Sequence, residues 1–101
     1  MKGQIKIGTY EGTGSAINLE LGFAPDYFKA VNTEDGDMIH EWFRGMADDT
    51  SVQTSTAVAT NAADGVTPYS GAAGSASVGL TLGTDLSESG KTFFYIAMAN
   101  Q

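Results

Sequence analysis

The chain has 101 residues, 12 of them acidic and 5 basic, a formal net charge of −7 and no cysteine, which suits one domain without disulfides or thiolate metal sites. The acidic balance argues against a nucleic-acid partner and against an anionic membrane surface, because both require a basic surface. No apolar run is long enough to span a bilayer, and the N-terminal residues lack the apolar centre of a signal peptide, so we expect a soluble product made in the cytoplasm.

The first part of the chain alternates between apolar and polar residues, as strands do. The stretch Gln4–Tyr10 places Ile5 and Ile7 on one face, and Ala16–Leu21 alternates in the same way. Because residues 11–15 between them are rich in glycine, we predict that these two strands form a hairpin.

A corner and two further strands follow. Pro25 lacks a backbone N–H and interrupts the strand pattern. We predict strands over Tyr27–Asn32 and Met38–Phe43, joined by a turn at Asp35-Gly36. The two faces of the second strand carry Ile39 with Phe43 and His40 with Trp42.

The second half is rich in glycine, alanine, serine and threonine. We predict a loop over Gly45–Thr50, an exposed strand over Ser51–Thr60 and a turn at Asp64-Gly65. The small residues around 70–77 predict a flexible loop. The remaining predicted strands are Val78–Leu82 and Thr92–Met98.

No long segment shows the helical period. Short strands at regular spacing, separated by turn signals, indicate an all-β fold. We therefore predict that residues 1–101 form a small single-domain β-sandwich or barrel-like fold of short antiparallel strands.

The triplet Gly90-Lys91-Thr92 looks like the end of a phosphate-binding loop. Such a loop requires a glycine five positions before Gly90, where this chain has Asp85, and a helix after the triplet. The residues that follow are aromatic and β-branched, as in a strand. We therefore predict no nucleotide site and interpret Gly90 as the end of a loop that leads into a buried strand.

Candidates for catalysis or metal binding are few. His40 is the only histidine, and nothing near it resembles a nucleophile elbow, so we interpret it as a residue on a sheet face. The acidic residues Asp35, Asp37, Asp48 and Asp49 match no calcium-loop spacing, although weak calcium binding at these turns stays open. We predict no enzymatic activity, no catalytic residues, no cofactor and no metal site.

The aromatic residues indicate a partner. The runs Phe93-Phe94-Tyr95 and Trp42-Phe43 put bulky groups on both faces of their strands, and such strands are covered on both faces. In a two-layer fold the second cover could be another chain. Because Trp and Tyr are often central to interfaces, we predict Trp42 and Tyr69 as partner contacts.

Two blocks of the sequence resemble small structural proteins of tailed bacteriophages. They are GSAINLELGFAPDYFKAVN (residues 14–32), a strand, a Gly-Phe-x-Pro corner and another strand, and VGLTLGTDLSESGKTFFYIAMAN (residues 78–100), which ends in an aromatic strand. The pairing looks most like head decoration (cement) proteins, and it also resembles C-terminal domains of tail-tip or fibre proteins.

The first resemblance implies a β-rich virion protein on the capsid exterior. Such a protein docks on the major capsid protein, bridges and stabilises neighbouring capsid subunits, and contacts neighbouring copies of itself. The alternative is a receptor- or glycan-binding module of a tail tip or fibre, whose expected feature is an exposed Trp42 near His40 and Glu41.

Overall fold

The computed structural model describes residues 3–34, 38–54, 58–69 and 78–100. These residues form eight strands and one short 3₁₀ helix, Thr84–Leu86. The strands are β1 (Gly3–Glu11), β2 (Ile17–Glu20), β3 (Tyr27–Asn32), β4 (Ile39–Phe43), β5 (Thr50–Thr54), β6 (Val58–Tyr69), β7 (Gly79–Leu82) and β8 (Thr92–Asn100).

All eight strands belong to one sheet, in the order β1-β8-β3-β4-β5-β6-β7-β2, and each pair of neighbours is antiparallel. The sheet curls into a half-barrel, so it has a concave inner face and a convex outer face. The prediction of an all-β, barrel-like domain of short antiparallel strands is confirmed.

The core lies on the inner face. Strand β3 shows the period of two, because Phe28, Ala30 and Asn32 are buried while the residues between them are partly exposed. Leu86, in the 3₁₀ helix, is fully buried in the same cluster. The other buried members of the cluster are Leu21, Trp42, Val66, Leu80, Leu82, Phe93, Tyr95 and Ala97.

The predicted hairpin of the first two strands is wrong. Strand β1 pairs along its whole length with β8, from Gly3 opposite Asn100 to Glu11 opposite Thr92, and β2 pairs with β7. The glycines after β1 have another role. Gly12 donates a backbone hydrogen bond to Lys91, and a Cβ at position 12 would collide with the backbone of Glu88. The glycine therefore allows close approach of the segment before β8.

The middle of the chain also differs from the prediction. The range Ser51–Thr60, expected to form one strand, instead contains parts of two strands, β5 and β6. These strands pair with each other, beginning at Thr54 opposite Val58. The Asp64-Gly65 pair lies inside β6, where the register jumps from Asn61 opposite Ser51 to Val66 opposite Thr50. The pair therefore forms an irregular bulge instead of a chain-reversing turn, and Asp64 takes the left-handed φ of 59°.

The remaining predictions either agree with the structure or concern residues outside the described ranges. The loop before β5 and the strands predicted over residues 27–32 and 92–98 are confirmed. The strands predicted over Met38–Phe43 and Val78–Leu82 are also present, each beginning one residue later, at Ile39 and Gly79. Gly90 ends a loop with a φ of 75°, and β8 begins two residues later, as the interpretation of the Gly-Lys-Thr triplet required. The predicted Asp35-Gly36 turn and the loop around 70–77 lie outside the described residues.

Candidate partner-binding surface

The outer face of β1, β8, β3 and β4 carries a broad apolar surface. The strand register places its side chains in three rows that each cross four strands. Two of the rows contain only apolar, aromatic or hydroxyl side chains, and the third contains the single Lys29–Glu41 pair. The rows are Ile5-Met98-Tyr27-Phe43, Ile7-Ile96-Lys29-Glu41 and Thr9-Phe94-Val31-Ile39. We call these residues the outer apolar face.

Four large side chains of this face are exposed. The solvent-accessible fractions are 65% for Ile5, 71% for Ile7 and 50% for both Phe43 and Phe94. Monomeric soluble proteins seldom expose a contiguous apolar surface of this kind, which is typical of a surface that another molecule covers.

One polar contact on this face joins two of its own side chains. The Tyr27 hydroxyl donates a 2.6 Å hydrogen bond to the Glu41 carboxylate, and its ring lies 5.1 Å from that of Phe43. Partial burial, followed by the contact with Glu41, raises the pKa of Tyr27 to about 12. The phenol therefore stays neutral at physiological pH, and one of the two charges on the face already has a hydrogen-bond partner.

The two residues predicted as partner contacts occupy a different region. Trp42 points into the core and is only 1% exposed, whereas its neighbour Phe43 points outwards and is 50% exposed. Tyr69 is half-buried at the end of β6. The structure nevertheless brings both residues together, because they line one cavity of about 330 Å³.

The burial of Trp42 also removes the exposed tryptophan that a glycan-binding module was expected to show. Trp42 and His40 are both on the inner face, at 1% exposure each, whereas Glu41 lies between them on the outer face. The three residues therefore do not form an exposed aromatic and acidic cluster.

His40 forms a buried hydrogen bond at the other end of the half-barrel. Its Nδ1 lies 3.2 Å from the Ser51 hydroxyl, and burial lowers the pKa of His40, although the nearby charge of Asp85 opposes this shift. A Ser–His pair can activate a nucleophile, but Ser51 is fully buried, which keeps a substrate carbonyl from its oxygen. We interpret the pair as a structural contact.

A second cavity, of about 440 Å³, adjoins His40. Its wall includes the polar side chains of Gln53, Asp85, Ser87 and Glu88. Within the part of the chain that the structure describes, no group of three His, Asp or Glu side chains could hold a metal ion. Asp35 and Asp37, two of the four acidic residues considered for calcium, lie outside that part.

The sequence contained a signal for the outer apolar face. Apolar residues on both faces of β8 indicated a strand covered on both sides, and the structure covers only the face that carries Phe93 and Tyr95. Ile5, Ile7 and Phe94 were not predicted as partner contacts, because alternation alone does not say which face of a strand becomes the inner face of the sheet.

No helix among residues 3–34, 38–54, 58–69 and 78–100 has the length and apolar character needed to cross a membrane. Comparisons of this chain with protein-family models, with curated proteins and with solved structures find no match.

Proposed function

We propose that this protein is a virion structural protein that decorates a phage capsid, binding the major capsid protein through the outer apolar face. The observation that supports this most is the exposure of Ile5, Ile7, Phe43 and Phe94 on one continuous surface. The resemblance of residues 14–32 and 78–100 to head decoration proteins supplies the identity of the partner.

The physical argument is apolar burial. Covering a large apolar side chain fully contributes about 1.5–3 kcal/mol, and this face has four that are half exposed or more. Lys29 and Glu41 are opposite in charge and directly paired across the strands, so the face itself carries little net charge. The strong negative charge of the whole chain does not oppose docking at this place.

A repeating shell adds avidity to each weak contact. A protein that touches two neighbouring subunits, or its own neighbouring copies, makes its second contact as an effectively intramolecular step. Moderate affinity at one face is therefore sufficient for stable decoration, and the acidic remainder of the surface keeps particles apart in solution.

The first experiment is quantitative mass spectrometry of purified phage particles from the source system. We expect a copy number equal to that of the major capsid protein or a simple fraction of it. A few copies per particle would instead favour a tail-tip or fibre module, and absence from particles would exclude both virion assignments.

A second experiment tests the surface itself by rebinding purified protein to particles that lack it. We expect the double variant Ile7→Thr/Phe94→Thr to remain folded and to lose occupancy by about tenfold or more, since each change removes about 1 kcal/mol or more of apolar burial. Val58→Thr is the matched control, because Val58 is 70% exposed but lies on β6, beyond β5 in the sheet. Equal occupancy of the double variant and the wild type would rule out this face as the docking surface.

A further inference from the structure

A cavity at one end of the half-barrel has the properties of a binding site. It lies where β4 and β6 end and β7 begins, on the inner side of the sheet and away from the outer apolar face. Its volume of about 330 Å³ falls within the range of small-ligand sites. The lining is Ala24, Pro25, Trp42, Arg44, Pro68, Tyr69, Val78, Gly79 and Leu80.

The walls of this cavity are mainly apolar and carry no free charge. Leu80 and Pro25 are buried, and Val78 and Tyr69 are half-buried. The one charged group, Arg44, forms an ion pair with Asp26 and donates a 3.2 Å hydrogen bond to the Ala24 carbonyl. The cavity therefore suits a neutral, apolar group better than an ion.

Trp42 adds one specific polar requirement. Its side chain is 1% exposed and lines the cavity, and its indole N–H has no acceptor among the described residues. A buried donor without an acceptor costs about 1–3 kcal/mol, so an occupant whose carbonyl oxygen reaches the indole N–H gains that free energy on binding.

We propose that this cavity is a socket for one apolar residue of an extended segment of a partner protein, whose peptide carbonyl accepts a hydrogen bond from the Trp42 indole. A peptide residue combines the two required features, a neutral apolar side chain and an adjacent carbonyl. The socket is separate from the outer apolar face, so this proposal does not depend on whether that face binds a capsid.

The test uses N-acetyl-leucinamide, a neutral peptide mimic with an apolar side chain, and follows binding by two-dimensional NMR. Trp42 is the only tryptophan, so its indole N–H gives one isolated signal. We expect this signal and the amides of Val78 and Leu80 to shift and saturate together, with millimolar affinity for so small a probe. N-acetylglycinamide, which has the same carbonyls without the side chain, is the matched control and should not saturate.

Two variants and one further probe make the assignment falsifiable. Trp42→Phe keeps an aromatic wall without the donor and should weaken binding about fivefold, as for one hydrogen bond. Val78→Asp places a charge in the half-buried wall, outside the strands, and should abolish binding even if Trp42→Phe does not fold. The proposal would be overturned if N-acetyl-leucinamide caused no saturable shifts or if N-acetylglycinamide caused equal shifts. It would also be overturned if a folded variant bound with unchanged affinity. Tighter binding of hexanoate would replace the peptide with a free carboxylate ligand.

Discussion

Burial determines the charge of His40. The imidazole is packed on the inner face with Ser51 beside Nδ1, and desolvation lowers its pKa, while Asp85 partly compensates. The folded state therefore favours the neutral ring. In the unfolded chain the same ring takes up a proton near its usual pKa of 6.5.

This difference predicts a pH dependence of stability. Below about pH 6.5 the unfolded state binds a proton that the folded state resists, so the free energy of unfolding falls as the pH decreases toward the folded pKa. One proton contributes at most about 1.4 kcal/mol per pH unit. Urea denaturation between pH 7 and 5.5 should show this decrease, and His40→Gln should flatten it.

The single histidine also allows a direct check. The ring Cε1–H signal of His40 belongs to the only histidine in the chain, so its NMR titration needs no assignment among several rings. A midpoint at or above 6.5 would contradict the desolvation argument, whatever the denaturation data show.

At the scale of elements, the sequence predicted strands better than it predicted their partners. Alternation located β3, β4 and β8 almost to the residue, because side-chain period is a local property. Pairing is not local: the partner of β1 is β8, at the other end of the chain. The sequence pattern indicated that Gly12 and Gly65 belong to turns. In the structure, another backbone segment passes so close to each of them that a Cβ atom would not fit.

The same limit applies to the candidate surface. Both Trp42 and Phe43 are bulky, and the pattern correctly placed them on opposite faces of β4. Which face becomes the inside depends on the direction in which the whole sheet curls. The predicted contact Trp42 is therefore buried and Phe43 is exposed, although the prediction of aromatic groups on both faces was correct.

Sheet position predicts the local stability of each strand. Strand β8 lies between β1 and β3, with partners on both sides, whereas the four-residue β2 lies at the edge with only β7 beside it. Amide hydrogen exchange should therefore be slowest at residues 93–98 and much faster at residues 17–20. Equal protection of β2 would mean that another chain covers this edge in solution.

At the scale of the whole molecule, one continuous sheet makes a cooperative unit. The core cluster contains residues from β3, β4, β6, β7 and β8 and from the 3₁₀ helix, so none of these five strands can leave without exposing part of it. Small single domains of this kind usually unfold in one step.

Trp42 reports this step directly. It is the only tryptophan and is almost completely buried, so its fluorescence should shift to longer wavelength only when the core opens. We expect this transition and the loss of the far-ultraviolet circular dichroism of the sheet to coincide in urea. If the fluorescence changed at a lower urea concentration, the end of the half-barrel around Trp42 would open as a separate unit.

The pairing of β1 with β8 has a topological consequence. Gly3 and Asn100 are register partners, so the first and last described residues of the chain lie side by side. A short linker could join these ends, and new ends could be opened in the exposed loop at residues 44–49 to give a circular permutant with the same sheet. For the same reason, two labels attached at Gly3 and at Asn100 would lie next to each other in space, although these positions are almost the whole described chain apart in sequence.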